Sequence, residues 1–461
     1  MRVHCVSLRT FRCVHAFPAH PLGSRSNSVN CITLHTARAP SLVACRSLEI
    51  MLPQEIPADG CAYCMVFYDG STDYLLLALV VARRLARLGV KHPLILLPTK
   101  DVPDSFREAL EKAGCLVQKP VEYLLMHSAL LQSPQGRHCK VLTKLLCLGL
   151  KISKLRKLLL IDADILPRQS LDSLFMYTAP AAKLMQANLD YGLGCRPLRE
   201  GEQVPACWLD VNEDGIGARV NAGVMLLEPD PDLLDHLVKE AHPDRIICQS
   251  VGTMAPSEDT QEQQWVLVQD IFGKPWNPSW TPEEDLLTRA MKKLRPLRTW
   301  TNIGARNNFE VNSDYLERPM ATEHGDFCCD AFHKISVLHF SGSWKPTWWA
   351  WFVARGEMTV EQVEEELQKQ HKMVDPKGII AQATAEWLRA FEDLAQFARR
   401  EWCLDILNLV GWSIRDQASA ADRLHQRKKA GKKAVCTFFR SEELQPCKRA
   451  RLNMPTCTTL L

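Results

Sequence analysis

The sequence predicts an α/β fold in which a mostly parallel, Rossmann-like mixed sheet carries helices on both faces and further helices follow at the C-terminal end. Short apolar runs alternate with amphipathic helical segments over residues 61–117, and this alternation is typical of parallel strands joined by helices. Residues 157–161 (Lys-Leu-Leu-Leu-Ile) have the composition of a strand buried on both faces. Beyond residue 356, apolar residues recur at the three- and four-residue spacing of helices.

The predicted elements follow one another in a regular order. We predict strands at residues 63–68, 94–97, 115–117, 157–161, 184–187, 223–227 and 337–340. We predict helices at residues 73–88, 103–113 and 141–150, then one that begins at a capping box on Thr359 and one whose apolar face extends from Ile380 to Ala398. Residues 188–220 are rich in glycine, proline and charge, and a loop of that length is usually functional.

The chain divides into four predicted parts. These are a leader over residues 1–58, a main α/β domain over 59–355, C-terminal helices over 356–415 and a basic, disordered tail over 416–461. The first acidic residue is Glu49, and the arginine- and serine-rich segment before it is typical of an organelle transit peptide. A disordered leader or a wrongly assigned start codon would give the same composition.

The charge balance and the cysteines exclude several classes of protein. The 461 residues carry 56 basic and 53 acidic side chains, a net charge of +3, which does not indicate nucleic acid as a general partner. No run of about 18 apolar residues occurs, so the sequence predicts no transmembrane helix. The 18 cysteines lack the paired spacing of a zinc site. We therefore expect reduced thiols and a cytoplasmic protein, with organelle targeting by residues 1–48 as the alternative and a homodimer left open.

A pair of carboxylates follows the most apolar predicted strand. Asp162 and Asp164 come directly after residues 157–161. Because a single residue separates them, their side chains project to the same side of an extended chain. Open α/β sheets bind their ligands at the carboxyl ends of such strands, and paired carboxylates hold hard divalent cations that bridge phosphate oxygens. The alternative is a strand followed by a turn that Asp162 caps.

A second predicted strand ends in residues that suit the same ligand. His339 lies in the strand at residues 337–340, and imidazole can join carboxylates as a ligand of Mn²⁺. Gly342 would let the backbone approach a phosphate, and Lys345 would supply a positive charge for a diphosphate. The alternative for His339 is a hydrogen-bonded histidine in the core.

An ordered set of segments resembles the retaining glycosyltransferase family 8, which includes glycogenin and galactinol synthase. The resemblance covers roughly residues 62–350 and keeps the order of the family's motifs. The similar segments are the opening strand, loop and helix at 66–81, Thr-Lys-Leu at 143–145, the Asp-x-Asp motif with its sequel at 161–175, Asn-Ala-Gly-Val at 221–224, the acidic and glutamine element at 259–263 and the closing element at 339–348. The resemblance implies a GT-A fold, a UDP-sugar donor and Mn²⁺ or Mg²⁺ as cofactor.

The resemblance also implies roles for individual residues. Tyr74 would stack on the uracil, and the nucleoside would be lined by Tyr68, Gly70 and Ser71. The metal ligands would be Asp162, Asp164 and His339, and the catalytic residues would be Gln263, Asp190 and Lys144. The implied donor-binding set is Tyr68, Gly70, Ser71, Tyr74, Lys144, Asp162, Ala163, Asp164, Asn221, Ala222, Asp259, Glu262, Gln263, His339, Gly342 and Lys345. Gly70 and Ser71 stand where the glycogenin subgroup has Thr-Asn, and Glu262 stands where the family has Asp.

The implied reaction moves a hexose from a UDP-sugar to a hydroxyl acceptor, which is a sugar, a polyol or a protein. We favour a front-face displacement with Gln263 near the sugar, because no carboxylate is placed as a covalent nucleophile. Asp190 either binds sugar or acceptor hydroxyls or caps a loop. The tryptophans at 344, 348, 349 and 351 either stack on an acceptor or belong to the core. The alternative function is an inactive scaffold of the same fold that binds a partner or RNA through its basic tail. A nucleotidyltransferase is disfavoured because the first predicted strand lacks a glycine-rich phosphate loop with a basic residue.

Overall fold

The computed structural model describes most of the chain between residues 51 and 409. The described residues belong to one compact unit, Ile50–Leu461. None of the described helices is both long enough and apolar enough to cross a membrane. The described ranges are 51–68, 70–124, 138–185, 198–205, 219–241, 247–250, 266–269, 275–276, 282–295, 298–311, 329–342, 345–372, 375, 377–402 and 404–409. Residues 1–50 of the predicted leader (1–58) and the whole predicted basic tail (416–461) lie outside them.

The described strands and helices alternate in the first half of the chain, and helices dominate its end. The strands are β1 (Cys61–Phe67), β2 (Leu94–Pro98), β3 (Leu116–Val117), β4 (Lys157–Ile161), β5 (Ile165–Pro167), β6 (Ala181–Met185), β7 (Arg219–Leu227), β8 (Ile247–Ser250), β9 (Val266–Gln269), β10 (Pro275–Trp276), β11 (Thr301–Asn302), β12 (Phe309–Glu310) and β13 (Val337–His339). The helices are α1 (Thr72–Arg87), α2 (Asp104–Lys112), α3 (Pro231–Ala241), α4 (Pro282–Leu294), α5 (Thr347–Ala354), α6 (Val360–His371), α7 (Ile379–Glu401) and α8 (Ile406–Leu409).

The central sheet has seven strands in the order β11-β6-β7-β4-β1-β2-β3. Strand β1 runs parallel to both β2 and β4, whereas β7 runs antiparallel to β4 and β6. Alternate residues of β1 enter two different core clusters, because successive side chains of a strand point to opposite faces. One cluster includes α1 and the C-terminal helices, and the other includes α3 and α4. The predicted α/β fold with a mixed sheet and helices on both faces is therefore confirmed.

A smaller, separate sheet is formed by β12, β13 and β5. Strand β5 begins three residues after Asp162, and it pairs antiparallel with β13 so that Ile165 lies opposite His339. Strand β12 completes this sheet by pairing parallel with β13. The pairing brings the end of β13 beside the end of β4. A third sheet, of β8, β9 and β10, was not predicted.

Several predicted elements differ from those observed. The helix predicted at 141–150 is a 3₁₀ helix, His138–Gly149. The strand predicted at 223–227 begins four residues earlier, at Arg219, and the one predicted at 184–187 is Ala181–Met185. Strands of two or three residues, such as β5, β11 and β12, are too short to show an alternating pattern. Helix α5 is apolar on nearly all sides, so its sequence shows no amphipathic period.

The helices after residue 356 pack against the main part of the fold, as expected. The capping box on Thr359 is present, with Gln362 N donating to Thr359 Oγ1 at 3.2 Å and Thr359 N donating to Gln362 Oε1 at 2.8 Å. Helix α7 lies against α6 and α1, and its Trp387 and Phe391 are fully buried. The four-part division of the chain remains a prediction.

Replacing the buried Asp375 with alanine should destabilise the protein more than removing an exposed cap. Asp375 Oδ1 accepts from Ile379 N at 2.9 Å and Oδ2 accepts from Ile380 N at 2.7 Å, at the start of α7. Asp375→Ala would leave both amides without these acceptors, so we expect a loss of about 2–4 kcal/mol in unfolding free energy, at about 1–2 kcal/mol per group. Thr359→Ala, at the exposed cap of α6, should cost about 1 kcal/mol. Urea denaturation of both variants checks the order, and equal losses would contradict it.

Candidate active site

The carboxylates of Asp162 and Asp164 stand at the end of β4. Asp162 N donates to Gly223 O at 3.0 Å, which ties this end of β4 to β7. Phe340 N donates to Asp164 O at 2.9 Å, which ties the next residues to the end of β13. Ala163, between the two carboxylates, is buried. The two aspartates are therefore fixed on both sides by backbone hydrogen bonds.

His339 reaches the same point from β13. Its Nε2 lies 3.4 Å from Asp164 Oδ1 and 4.0 Å from Asp162 Oδ2. The three side chains form a group that could hold a metal ion. Two carboxylates and one imidazole make a hard, mixed oxygen and nitrogen donor set, and such a set suits Mn²⁺ or Mg²⁺ better than a thiolate-preferring metal. The residues present therefore fit a divalent cation.

A chain of buried amide side chains orients the imidazole. His339 Nδ1 lies 3.0 Å from Asn308 Oδ1, and Asn308 Nδ2 donates to Asn221 Oδ1 at 2.6 Å. Asn221 Oδ1 also accepts from Gly223 N at 2.9 Å. Because Asn308 Oδ1 can only accept, the network assigns the Nδ1 proton to His339 and leaves Nε2 facing the aspartates. Support of this kind fixes the tautomer of metal-binding histidines.

The charges of the cluster shift the pKa values of its members. Burial lowers the pKa of His339, but Asp164 and Glu310 raise it, and the net direction is upward. Burial alone would raise the pKa of Asp164, but the charges of Lys345 and His339 hold that pKa well below its usual value. Asp164 is therefore an ionised carboxylate at neutral pH, as an anionic metal ligand must be.

Lys144 connects Asp162 to a second carboxylate. Its Nζ lies 2.8 Å from Asp162 Oδ2 and 3.5 Å from Glu283 Oε1. Burial lowers the pKa of Lys144, but Asp162 and Glu283 raise it well above its usual value. At Glu283 burial raises the pKa more than the charge of Lys144 lowers it, and the charge of Asp162 adds to the rise. Lys144 therefore remains protonated and positively charged, beside Asp162 in the predicted binding site for the sugar donor.

Lys345 places a second cation on the other carboxylate. Its Nζ donates to Asp164 Oδ2 and to the carbonyl of Phe340. Gly342, in the turn between them, has a φ of 71°, and a Cβ added there would meet no atom within 4 Å. The turn therefore depends on the backbone conformation of glycine rather than on space. Each aspartate of the cluster has its own lysine.

The predicted nucleoside residues lie at the start of α1. Tyr68 follows β1, and its ring centroid is 6.5 Å from that of Tyr74 in the first turn of α1. Burial raises the pKa of Tyr68. The charge of Lys144 opposes this rise, and the charge of Asp162 adds to it. Gly70 and Ser71 form the loop between the two tyrosines, and Ser71 O accepts from Leu75 N at 3.0 Å. The tyrosines therefore lie at the same end of the sheet as the aspartates.

Two glutamates at the start of α4 belong to the site but were not predicted from the sequence. Glu283 contacts Lys144, and Glu284 Oε1 accepts from Ala222 N. Both are buried. Their sequence, Pro-Glu-Glu, is the ordinary start of a helix, so local pattern hides their role. Asn308 was missed as well, because only the folded chain brings it beside His339.

Other predicted site residues lie outside the described part of the chain. They are Asp190, Asp259, Glu262 and Gln263. The described tryptophans of α5 belong to the core. Trp349 is buried, and Trp348 and Trp351 pack against the main hydrophobic cluster.

A second group of metal-ligand types lies at the start of β1. Asp59, Cys61 and His92 have ligand atoms close together. His92 Nε2 lies 3.0 Å from Asp59 Oδ2, and its Nδ1 lies 2.8 Å from Asp172 Oδ1. Tyr63 Oη also donates to Asp172, at 2.9 Å. Both ring nitrogens of His92 thus have carboxylate partners, and we interpret this group as a hydrogen-bonded support of the sheet.

Comparison with known proteins gives distant similarities. No protein-family model matches the chain. An uncharacterised protein of Acanthamoeba polyphaga mimivirus is 27% identical over 310 residues, which cover 67% of this chain and 89% of that protein.

Three similar solved structures are glycosyltransferases. The galactosyltransferase LgtC, with donor and acceptor sugar analogues, is 15% identical with a TM-score of 0.38, covering 71% of this chain and 95% of that one. The glycosyltransferase GlyE of Streptococcus pneumoniae TIGR4 is 14% identical with a TM-score of 0.35, covering 62% and 56%. Mouse xyloside xylosyltransferase 1 is 11% identical with a TM-score of 0.33, covering 61% and 98%. These sequence identities and TM-scores are low, so the fold is defined by the strand order and strand pairing of the chain itself.

Proposed function

We propose that this chain is a metal-dependent glycosyltransferase of the GT-A type, which moves a hexose from a UDP-sugar to a hydroxyl acceptor with retention of configuration. The observation that carries the proposal is the convergence of Asp162, Asp164 and His339 at the ends of β4 and β13, with Lys144 and Lys345 on the two carboxylates. A donor that carries a diphosphate matches this arrangement of cation ligands and ammonium groups.

Asp162, Asp164 and His339 would hold Mn²⁺ or Mg²⁺, and the bound cation supplies positive charge to the diphosphate leaving group. Lys345 lies beside Asp164, where its ammonium would stabilise charge that grows on a phosphate oxygen. Lys144 sits on Asp162 and faces Tyr68. Its charge would orient the diphosphate of the donor, which lies between the nucleoside and the reacting sugar.

The two tyrosines and the two glutamates would bind opposite ends of the donor. Tyr68 and Tyr74 offer aromatic surface for the uracil. Glu283 and Glu284 lie beside Lys144 and the backbone of Ala222, where carboxylates would accept hydrogen bonds from sugar hydroxyls. Gln263 and Asp190 remain proposed contacts of the sugar and the acceptor.

The test is release of UDP from nucleotide sugars by the full-length chain. UDP-glucose, UDP-galactose and UDP-GlcNAc are each assayed with and without Mn²⁺, and GDP-mannose is the nucleotide control. We expect Mn²⁺-dependent UDP release from at least one UDP-sugar, and a rise in melting temperature with that donor, because a ligand that binds the folded state stabilises it by mass action. Neither UDP release nor a thermal shift with any UDP-sugar would overturn the proposal and favour the scaffold alternative.

A further inference from the structure

A cavity of about 550 Å³ is lined by residues of the last turns of α1, at the opposite end of this helix from Tyr74. The last turns of α1, the end of β5 and the middle of α7 form its walls. Arginines dominate the lining: three belong to α1, one belongs to α7, and one directly follows β5. They are Arg83, Arg84, Arg87, Arg168 and Arg389.

The carboxylates of the cavity do not balance these arginines. Only Glu386 and Asp393 line it among the described acidic residues, so two carboxylates face five arginines. Arg389 is also paired with Glu361 at 3.5 Å and Glu364 at 3.4 Å, both outside the lining. Asp393 Oδ2 lies 3.1 Å from Arg83 Nε and 3.8 Å from Arg87 Nε, so one carboxylate serves two arginines. Glu386 is bound to Arg168 at 3.0 Å.

Arg84 lacks a carboxylate within ion-pair distance among the described residues. Its Nε donates to the carbonyl of Pro167 at 2.9 Å. Burial lowers the pKa of Arg84, the charge of Glu386 opposes that shift and the charge of Arg87 adds to it. A half-buried guanidinium among other guanidinium groups is unfavourable unless an anion compensates it.

The cavity is separate from the candidate donor site. Helix α1 begins at Thr72, beside the loop of Gly70 and Ser71, and its arginines lie at the opposite end. Ten residues separate Tyr74 from Arg84, which is roughly 15 Å along a helix. A ligand in the cavity would therefore leave the Asp162, Asp164 and His339 cluster uncovered.

We propose that this cavity binds a small polyanion that carries at least two phosphate groups. A single phosphate would fill only a small part of 550 Å³, and small-ligand sites commonly enclose about 300–1,000 Å³. Arginine binds phosphate through paired N–H donors, and arginines from three walls can hold phosphates at separate positions. The site is independent of the proposed sugar transfer, and its ligand would bridge α1 and α7.

Titration calorimetry with inorganic tripolyphosphate tests the proposal on the full-length chain in metal-free buffer at fixed ionic strength. We expect saturable binding that weakens at least about tenfold in Arg84→Gln, since one lost charge-assisted contact is worth about 1.5–3 kcal/mol. The double variant Arg87→Gln/Arg389→Gln should weaken binding as much or more. Arg87 and Arg389 are both about half exposed, so this variant tests the cavity even if Arg84→Gln fails to fold.

Two control variants separate this site from other positive charge on the protein. Arg298→Gln removes one exposed arginine that is paired with Glu228 outside the cavity, and it should leave tripolyphosphate binding unchanged. Lys345→Gln removes a cation of the donor site, and the tripolyphosphate binding that Arg84→Gln weakens should persist in this variant. Binding that is lost in Lys345→Gln, or that is equal in wild type and in both cavity variants, would overturn the proposal, as would the absence of binding to wild type.

The source of the phosphates is distinguished by competition against bound tripolyphosphate. A sugar bisphosphate and a nucleoside triphosphate share the phosphate chemistry but differ in the group that carries it. Displacement by either at lower concentration than tripolyphosphate supports the proposal and names the class of ligand. Failure of both, with tripolyphosphate still binding, supports inorganic polyphosphate.

Discussion

Asp164→Asn should reduce metal-dependent release of UDP by at least about 10²- to 10³-fold, the loss seen when one charge-stabilising group is removed from an active site. The substitution keeps the size of the side chain and removes the negative charge that faces His339 and Lys345. The cation would lose an anionic ligand, and Lys345 would lose its carboxylate. The initial rate at saturating Mn²⁺ measures the effect, and Asp162→Asn should behave alike.

The matched control is Asp230→Asn, the same chemical change elsewhere. Asp230 pairs with Arg295 at 3.2 Å and its Oδ1 accepts from Leu233 N at 3.0 Å, and an asparagine keeps this acceptor. We expect its rate to stay within about threefold of wild type, because the partners of Asp230 are Arg295 and Leu233 and not members of the Asp162, Asp164 and His339 cluster. Unchanged activity in folded Asp164→Asn and Asp162→Asn proteins would show that the aspartates do not bind the cation.

Gly223→Ala should disable the same site through packing alone. A Cβ at position 223 would lie 2.5 Å from His339 Nδ1, closer still to His339 Cε1, and 2.9 Å from Asn308 Oδ1. The imidazole and the amide that orients it would both have to move. We expect a loss of about 1–3 kcal/mol in unfolding free energy, as for other overpacked cores, together with weaker Mn²⁺ binding.

A double-mutant cycle with His339→Ala identifies the cause. If the clash with the imidazole is the reason, removing the ring relieves it, and the two substitutions couple by about 0.5–3 kcal/mol. Additive losses would contradict the clash. Gly149→Ala is the glycine control, since its Cβ would meet only Leu234 Cδ2, at 2.7 Å, and the end of a leucine side chain can shift. That variant should retain Mn²⁺ binding.

The parts of the fold that the sequence predicts well are those with a local cause. Strand β4 is found at residues 157–161 as predicted, because a run of apolar residues needs burial on both faces. Helix α1 differs from its predicted bounds by one residue at each end, since apolar spacing and Gly89 define it. The antiparallel direction of β7 was not predictable, because strand direction depends on how the chain returns to the sheet.

The residues of the candidate site also fall into two groups, those with a local sequence motif and those without one. Asp162, Asp164, His339 and Lys345 were predicted because each follows a strand end in a recognisable motif, and the folded chain brings them together. Glu283 and Asn308 have no local motif, and their place beside Lys144 and His339 depends on tertiary packing. A carboxylate in the first turn of a helix is common for electrostatic reasons alone.

The pairing of β5 with β13 has a consequence for biosynthesis. Asp164 leaves the ribosome early, but Lys345 follows 181 residues later, and His339 arrives only with β13. Contacts between residues so far apart form late, because the chain entropy of closing the loop opposes them until other parts have folded. A nascent chain that stops before β13 would have the aspartates without the histidine and the lysine. The capacity to bind the cation would thus be acquired only after the chain has been made as far as Lys345, and cation binding by a nascent chain would report that β13 had joined the fold.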